Sequence, residues 1–283
     1  MGARPDLKVE TPSGKGARDE NFPVASRLIA PQLRPHIMAF YDFVRAADDV
    51  ADNPSLKPDD KLTRLDQLEA ALRVDGPLTK PRRLAQSLAT TGVTDTHARN
   101  MLSAFRQDAT KQRYADMDEL WDYCDRSASP VGRFLVDLHG EDRACFAGAE
   151  ALSSVLQVLN HIQDCQNDFL TLDRVYIPTD LLHDNRTSVG DLANPALSDG
   201  LRGTIDALLS ACEARLDDAR GLVHQIKGRR FAAETRMVLS LAERLLSRLR
   251  LQDPLASRVK PSAFDFGAAG AKAIARYFSA GRV

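Results

Sequence analysis

The chain has 283 residues, of which 43% are hydrophobic and 27% are charged, a composition typical of a globular protein long enough to bury one large core. Its 38 Lys and Arg residues nearly balance its 39 Asp and Glu residues, so the chain lacks the broad positive field that dominates nucleic-acid binding. No uncharged apolar run reaches the ~18 residues that a membrane span requires.

The first twenty residues, MGARPDLKVETPSGKGARDE, are polar and rich in Gly and Pro. Such a segment buries too little apolar surface to offset the entropy lost on ordering. We therefore expect residues 1–20 to be a disordered leader and residues 21–283 to form one domain. The four cysteines are far apart and form no C-x-x-C pair, and no apolar signal core precedes them, which indicates reduced thiols in a cytoplasmic protein.

Beyond the leader, apolar residues recur at helical spacing, and strand-like alternation is hard to find. Ile37, Phe40 and Val44 give one example of this spacing. Helix-stop residues, such as Asn53-Pro54, Ser129-Pro130 and Gly228, divide the chain into roughly eight to ten helices. This count suits an orthogonal bundle, so we predict a wholly or mostly α-helical fold.

An acidic motif ends the first predicted helix. Asp48 and Asp52 are four residues apart, so they share one helix face with Cβ atoms about 5–6 Å apart, and Tyr41 and Arg45 extend that face. Like charges at this spacing, close to a helix C-terminus, destabilise the helix. A bound cation removes both penalties, and Mg²⁺ takes one or two carboxylates together with waters and phosphate oxygens.

A second polar row follows the same logic. Asn160, Asp164 and Asp168 lie at successive i, i+4 steps and offer three oxygen ligands, while Gln157 and Gln163 add polar groups nearby. One such pair alone is usually a solvated helix face. Two of them, about 115 residues apart and each with an arginine nearby, favour a metal–diphosphate site.

The residues after the second row also suit a phosphate ligand. Arg174 supplies a guanidinium and Tyr176 a phenol, both of which bind phosphate oxygens well. Residues 176–198 form the longest irregular stretch, and a loop of this length in a compact domain is more often functional than idle. Residues 268–282 predict a short amphipathic helix, which either packs as a tail or touches lipid.

At these positions the chain resembles the squalene/phytoene synthase family. The family's first motif, Y-x-x-x-R-x-x-D-x-x-x-D, is matched by Tyr41, Arg45, Asp48 and Asp52. The second motif with its R-x-Y-x-P tail is matched by Asn160, Asp164, Asp168, Arg174, Tyr176 and Pro178. The resemblance covers residues 20 to 260 or so and implies a class I isoprenoid synthase bundle with a central cavity.

The resemblance also implies roles for individual residues. Two or three Mg²⁺ ions are expected at Asp48, Asp52, Asn160, Asp164 and Asp168. Catalytic roles are expected for Asp48, Asp52, Asn160, Asp164 and Tyr41. Substrate contacts are expected from Phe22, Arg45, Gln157, Gln163, Arg174 and Tyr176. Rings that can face a carbocation or the hydrocarbon chains are Phe22, Phe40, Phe43, Phe105, Phe134 and Phe169.

Three stretches, residues 20–26, 104–110 and 160–165, resemble family members of the bacterial hopanoid pathway. This implies conversion of presqualene diphosphate and water to hydroxysqualene and diphosphate. It also implies an upstream synthase of presqualene diphosphate and a downstream flavin-dependent reductase. Contact of the C-terminal amphipathic helix with lipid would make the protein peripheral to the membrane. No Gly-rich strand–helix turn for a dinucleotide occurs, so NADPH is not expected.

Two departures from the family pattern bear on the reaction. Gln163 stands where relatives often carry arginine. Squalene synthases that run both half-reactions carry a Y-C-x-Y-V-A-G stretch, whereas Tyr123-Cys-Asp-Arg-Ser-Ala-Ser129 places Arg126 at the second tyrosine. This departure favours an enzyme that acts on presqualene diphosphate, the intermediate between the two half-reactions. Two alternatives stay open: coupling of two farnesyl or geranylgeranyl diphosphates to presqualene diphosphate, squalene or phytoene, and a non-catalytic assembly module.

Overall fold

The protein was analysed as a computed structural model, which describes residues 9–14, 16–17, 22 and 24–279. Every regular element in these ranges is helical, and no strand occurs among them, so the predicted all-α fold is confirmed. The described α-helices are α1 (Arg34–Ala51), α2 (Pro58–Ala70), α3 (Thr79–Thr91), α4 (Thr96–Asp108), α5 (Met117–Ser127), α6 (Ser129–Leu138), α7 (Phe146–Leu172), α8 (Thr179–Asp184), α9 (Asp199–Gln225), α10 (Arg229–Leu251) and α11 (Ala263–Ser279). Short 3-10 turns lie at Arg143–Cys145 and Val189–Ala193.

The helices begin and end where the local sequence requires it. Pro130 lies in the first turn of α6, where its missing N–H leaves no partner unsatisfied. Gly92 ends α3 with a left-handed φ of 72°, which costs a glycine nothing. Helix α1 ends just before Asn53-Pro54, and Gly228 precedes α10, so these predicted breaks are confirmed.

The bundle has two hydrophobic clusters, and α7 packs against several of the other helices. Helix α7 packs against α6, α9 and α10, and its Val155, Leu159 and Ile162 side chains are fully buried. Helix α1 packs against α3 and α4 and buries Phe43 and Val50 in the second cluster. This packing orients α1 and α7, because their apolar faces enter the clusters and their polar rows must point elsewhere.

The segment predicted to be irregular, residues 176–198, contains more structure than expected. It includes α8 and a 3-10 turn, the latter opened by a capping box between Ser188 and Asp191. The start of the segment is also anchored, since the N–H groups of Val175, just before it, and Thr179, within it, donate to the carbonyl oxygens of Gln112 and Tyr114, each at 2.9 Å. These two hydrogen bonds therefore hold the start of the segment in place.

Part of the expected disordered leader contacts the bundle. Val9 is buried in the cluster around α1, and Glu10 forms an ion pair of 2.6 Å with Lys80. These two residues find an apolar and a charged partner that composition alone does not reveal. Residues 11–14 and 16–17 of the leader are also described, whereas residues 1–8, 15 and 18–20 lie outside the described residues.

The C-terminal helix α11 is amphipathic, as its sequence indicates, over the part that the structure describes. It packs on α10 through its buried Ala269 and Ala273, while Phe264 and Phe278 are exposed. No helix in the described ranges is long and apolar enough to cross a membrane. All four cysteines are buried, with free thiols.

Candidate active site

A cavity of about 600 Å³ lies in the bundle, in the size range of small-molecule sites. Residues from α1, α4, α5, α6, α7, α9 and α10 line it. The cavity wall includes eleven of the twelve residues that the sequence singled out: Phe22, Tyr41, Arg45, Asp48, Asp52, Gln157, Asn160, Asp164, Asp168, Arg174 and Tyr176. The two motifs therefore meet at one cavity, although more than a hundred residues of chain separate them.

The first motif lies at the C-terminal end of α1. Arg45 Nη1 is 3.1 Å from Asp48 Oδ2, and its Nη2 is 2.9 Å from Asp49 Oδ1. Burial in the cavity wall and the neighbouring charge of Asp52 raise the pKa of Asp48 well above its usual value, and Arg45 offsets this only in part. Added positive charge at this end of the cavity would favour the ionised carboxylate.

The second motif lies on the cavity face of α7. Asn160, Asp164 and Asp168 all line the cavity, as their helical spacing predicts. Arg258, which the sequence did not single out, also lines the cavity and places its Nη2 atom 3.9 Å from Asp164 Oδ1. The second motif thus has an arginine of its own from a distant part of the chain.

Arg174 connects the two motifs. Asp173 ends α7 with a left-handed φ of 50°, and the chain turns there so that the Arg174 side chain is buried. Its Nη1 atom donates to Asp52 Oδ1 at 2.7 Å, and its Nη2 atom donates to the carbonyl oxygen of Asp108 at 2.9 Å. A charge from the tail of the second motif thus neutralises the last residue of the first.

Asp108 is the centre of a buried hydrogen-bond network that the sequence analysis missed. The Tyr123 hydroxyl donates to its Oδ2 at 2.8 Å and the Tyr176 hydroxyl to its Oδ1 at 3.1 Å. Burial raises the pKa of Asp108 to about 6, although Arg174 opposes this. The available signal was the stripe of Met101, Phe105 and Asp108 on α4, where helical spacing puts a carboxylate on a buried apolar face.

His161 also belongs to the cavity wall. Its ring stacks on Tyr176 with centroids 3.5 Å apart and planes inclined by 15°. Burial, with a smaller contribution from Arg174, lowers the pKa of His161 to about 3. The imidazole is therefore neutral near neutral pH.

Gln163 does not reach the cavity. It is buried, and its amide donates to the carbonyl oxygen of Val259. Adjacent positions of an α-helix point about 100° apart, so a residue next to Asp164 cannot share its face. The expectation that Gln163 contacts substrate therefore finds no support in the position of its side chain.

Arg126 lies away from the cavity wall as well. Its guanidinium donates to Gln107 Oε1 at 2.7 Å and to Asp122 Oδ2 at 2.8 Å. The next residue, Ser127, is buried and lines the cavity. The departure from the Y-C-x-Y-V-A-G stretch that reaches the site is thus Ser127, not Arg126.

The rest of the cavity is largely apolar. Among the rings proposed from the sequence, those that line it are Phe22, Phe40, Phe105 and Phe134. The Phe40 and Phe134 rings stack with centroids 4.1 Å apart. Phe43 is fully buried in the core, and Phe169 packs on the other cluster, so these two rings do not form the wall.

A buried carboxyl interrupts this apolar region. Glu234 of α10 lines the cavity and accepts a hydrogen bond from the Ser26 hydroxyl. Burial raises the pKa of Glu234 to about 7, while the Ser26 hydrogen bond and Arg34 act in the opposite direction. The bond ties the segment before α1 to α10 across the cavity wall.

The acidic residues that line the cavity do not form a closed metal cage in the part of the chain that the structure describes. Among the described residues, no three His, Cys, Asp or Glu side chains converge as a preformed metal cage. The two pairs, Asp48 with Asp52 and Asp164 with Asp168, instead contribute to the same cavity from α1 and α7. This oxygen-rich, open set fits Mg²⁺, which keeps several waters and binds through one or two carboxylates and substrate phosphates.

Comparison with known proteins places this arrangement in a family. The squalene/phytoene synthase family model matches residues 16–265. The chain is 43% identical to a hydroxysqualene synthase of Rhodopseudomonas palustris over 281 residues, covering 97% of this chain and 96% of that one. It is 41% identical to a hydroxysqualene synthase of Zymomonas mobilis over 272 residues, covering 94% and 91% of the two chains.

Solved structures agree with the fold. A squalene synthase from Alicyclobacillus acidocaldarius superimposes with a TM-score of 0.72 at 29% identity, over 81% of this chain and 87% of that one. A dehydrosqualene synthase crystallised with a ligand superimposes with a TM-score of 0.75 at 19% identity, over 90% of each chain. At this identity the second match supports the fold alone.

Proposed function

The chain belongs to the squalene/phytoene synthase family and is an enzyme of the hydroxysqualene synthase type, and on that premise we propose how its cavity performs the reaction. The substrate is presqualene diphosphate, which reacts with water to give hydroxysqualene and diphosphate. One observation carries the proposal. A single cavity joins an end lined by carboxylates and arginines to a wall lined by phenylalanines.

This division matches the substrate, which is a charged diphosphate attached to a long hydrocarbon. The charged end suits the leaving group, because fixed charges in a partly dry site stabilise developing charge strongly. The phenylalanines of the wall suit the carbon skeleton, because their side chains offer no nucleophile to a carbocation. Their aromatic faces also attract positive charge.

Asp48, Asp52, Asn160, Asp164 and Asp168 are the residues that would hold Mg²⁺. Bound there, Mg²⁺ would act as a Lewis acid on the diphosphate oxygens and so make diphosphate a better leaving group. Arg45 and Arg174 orient the first carboxylate pair through their ion pairs. Arg258 adds charge on the α7 side, and Tyr41 and Gln157 offer hydrogen bonds from the wall between the motifs and the apolar part.

The chemistry of the substrate and the product implies one enzyme that acts before this one and another that acts after it. Its substrate must come from an enzyme that couples two farnesyl diphosphates into a cyclopropane. Its alcohol product must go to a reductase that replaces hydroxyl by hydride, for which a flavin is a suitable donor. Because water ends this reaction, we propose that the enzyme itself uses no NADPH.

Product analysis tests the proposal. Purified protein and Mg²⁺ would be incubated with presqualene diphosphate without any nicotinamide, and separately with farnesyl diphosphate. We expect hydroxysqualene and one equivalent of diphosphate from the first mixture. Formation of a C30 product from farnesyl diphosphate alone would indicate a coupling enzyme, and turnover of neither substrate would favour an assembly module.

A further inference from the structure

Ser127 differs from the other buried serines around it. Its hydroxyl is buried in the cavity wall and makes no hydrogen bond to any residue that the structure describes. By contrast, the hydroxyls of Ser129 and Ser154 are also buried but pair with each other at 3.3 Å, away from the cavity. A buried hydroxyl without a protein partner costs free energy, so its presence in the wall of a substrate cavity calls for a ligand.

The neighbours of Ser127 connect it to the charged end of the cavity. Ser127 follows Tyr123 by one turn of α5, and the Tyr123 hydroxyl bonds Asp108, whose carbonyl oxygen is bound by the same Arg174 that holds Asp52. Ser127 therefore lines the same cavity as the charged motifs and the phenylalanines, one helical turn from a residue of the network at the charged end. The carbon that loses diphosphate must lie where these two parts of the cavity meet, because its leaving group lies on one side and its hydrocarbon on the other.

Another residue of the cavity wall also has a buried polar atom without a protein partner within the described ranges. His161 Nε2 is buried and has no hydrogen-bond partner among the described residues, and its ring centroid lies 6.1 Å from that of Tyr123. A water molecule is stable in a protein when polar atoms surround it on several sides. Ser127 and His161 supply such atoms in a wall that is otherwise mostly apolar.

We propose that the Ser127 hydroxyl positions the water that captures the carbocation and so makes the product an alcohol. This inference rests on the proposed function and names the residue that selects its product. The C–O bond to diphosphate breaks, with both electrons going to the leaving oxygen. After the skeleton rearranges, a lone pair of the water forms the new C–O bond, and the resulting oxonium gives one proton to the released diphosphate. Ser127 accepts a hydrogen of the water and leaves its lone pair facing the carbon.

The sequence supplies a matched substitution. In the Y-C-x-Y-V-A-G stretch, valine stands at the position of Ser127, so S127V introduces that side chain and removes the hydroxyl, and S127T has nearly the same shape as S127V but keeps a hydroxyl. S127A serves as a smaller variant in case valine does not fit. S127T restores a hydroxyl, and S154A removes a buried hydroxyl outside the cavity.

The experiment follows diphosphate release and product composition from presqualene diphosphate for each variant. We expect S127V and S127A to release diphosphate within about threefold of the wild-type rate, while the ratio of hydroxysqualene to C30 hydrocarbons falls at least about tenfold, since one hydrogen bond to the water is lost. S127T and S154A should retain the wild-type ratio.

Two results would overturn the inference. One is an unchanged product ratio in folded S127V and S127A. The other is an equal loss of diphosphate release and alcohol, which would place Ser127 in the ionisation step. Failure of the proposed function itself would be visible separately, because wild-type protein would then give no hydroxysqualene.

Discussion

The guanidinium of Arg174 lies 2.7 Å from the carboxylate of Asp52. The same side chain donates to the carbonyl oxygen of Asp108 at 2.9 Å and to the Tyr176 hydroxyl at 3.1 Å. This one buried guanidinium thus holds the end of the first motif, the end of α4 and the tail of the second motif together. Its removal would leave a carboxylate of the first motif without its buried counter-charge.

Arg174 should be sensitive even to a substitution that preserves charge. Lysine has a single ammonium and cannot reproduce three divergent hydrogen bonds from one planar group. We expect Arg174→Lys to slow diphosphate release at least about tenfold and Arg174→Gln at least about a hundredfold. Arg220→Gln, which alters an exposed ion pair with Asp217, is the control and should keep the wild-type rate. An Arg174→Lys enzyme of normal rate would contradict this role.

The carboxylates of both motifs should be required for the dependence on Mg²⁺. We expect Asp48→Asn and Asp164→Asn each to lower the rate of diphosphate release at least about a hundredfold, because an amide is a weaker ligand for a hard cation. The measurement is the rate as a function of Mg²⁺ concentration, which should also shift to higher concentrations. Asp42→Asn, on the surface of α1 and paired with Arg83, provides the control. Wild-type Mg²⁺ dependence in either motif variant would refute a metal role for that residue.

Glu234 should make stability depend on pH. Its folded-state pKa of about 7 lies above its ordinary value of 4.5, so the folded state binds the proton more tightly than the unfolded state. The resulting stabilisation is fully present below pH 4.5 and is lost as the pH rises through 7. Between pH 5 and 8 the wild type should lose roughly 2 kcal/mol relative to Glu234→Gln, by urea unfolding at each pH. Parallel pH profiles of the two proteins would contradict the shift.

The ordered part of the N-terminal segment should contribute to stability. Removal of residues 1–14 eliminates the burial of Val9 and the ion pair of Glu10 with Lys80. We expect the Tm to fall by about 2 to 6 °C, corresponding to a few kcal/mol at most. Removal of residues 1–8 alone isolates the contribution of the later residues. If both deletions lower the Tm equally, the contacts of residues 9–14 contribute nothing.

The features that followed from the sequence are those set by helical periodicity. Asp48 and Asp52 share a face because they are four residues apart, and the same spacing aligns Asn160, Asp164 and Asp168. The apolar positions on the same helices then determine which face enters the core. For this reason the cavity lining of both motifs could be predicted without any knowledge of the tertiary structure.

The features that could not be predicted depend on contacts between distant segments. Asp108 joins Arg174 only because the chain after α7 returns to the end of α4. Gln163 was assigned to the substrate by its nearness in sequence to Asp164, although it points to Val259. The contacts of Val9 and Glu10 likewise require partners from α1 to α3, which composition does not identify.

The burial of the four cysteines makes each thiol a reporter of local opening. Cys124 lies in α5, Cys145 in the 3-10 turn before α7, Cys165 in α7 and Cys212 in α9. A thiol reagent can modify each of them only when its own surroundings open, so labelling rates measure the free energies of separate opening reactions in the unaltered protein. Cys165 follows Asp164 directly. Its labelling rate would therefore report how strongly a bound diphosphate stabilises the second motif against local opening.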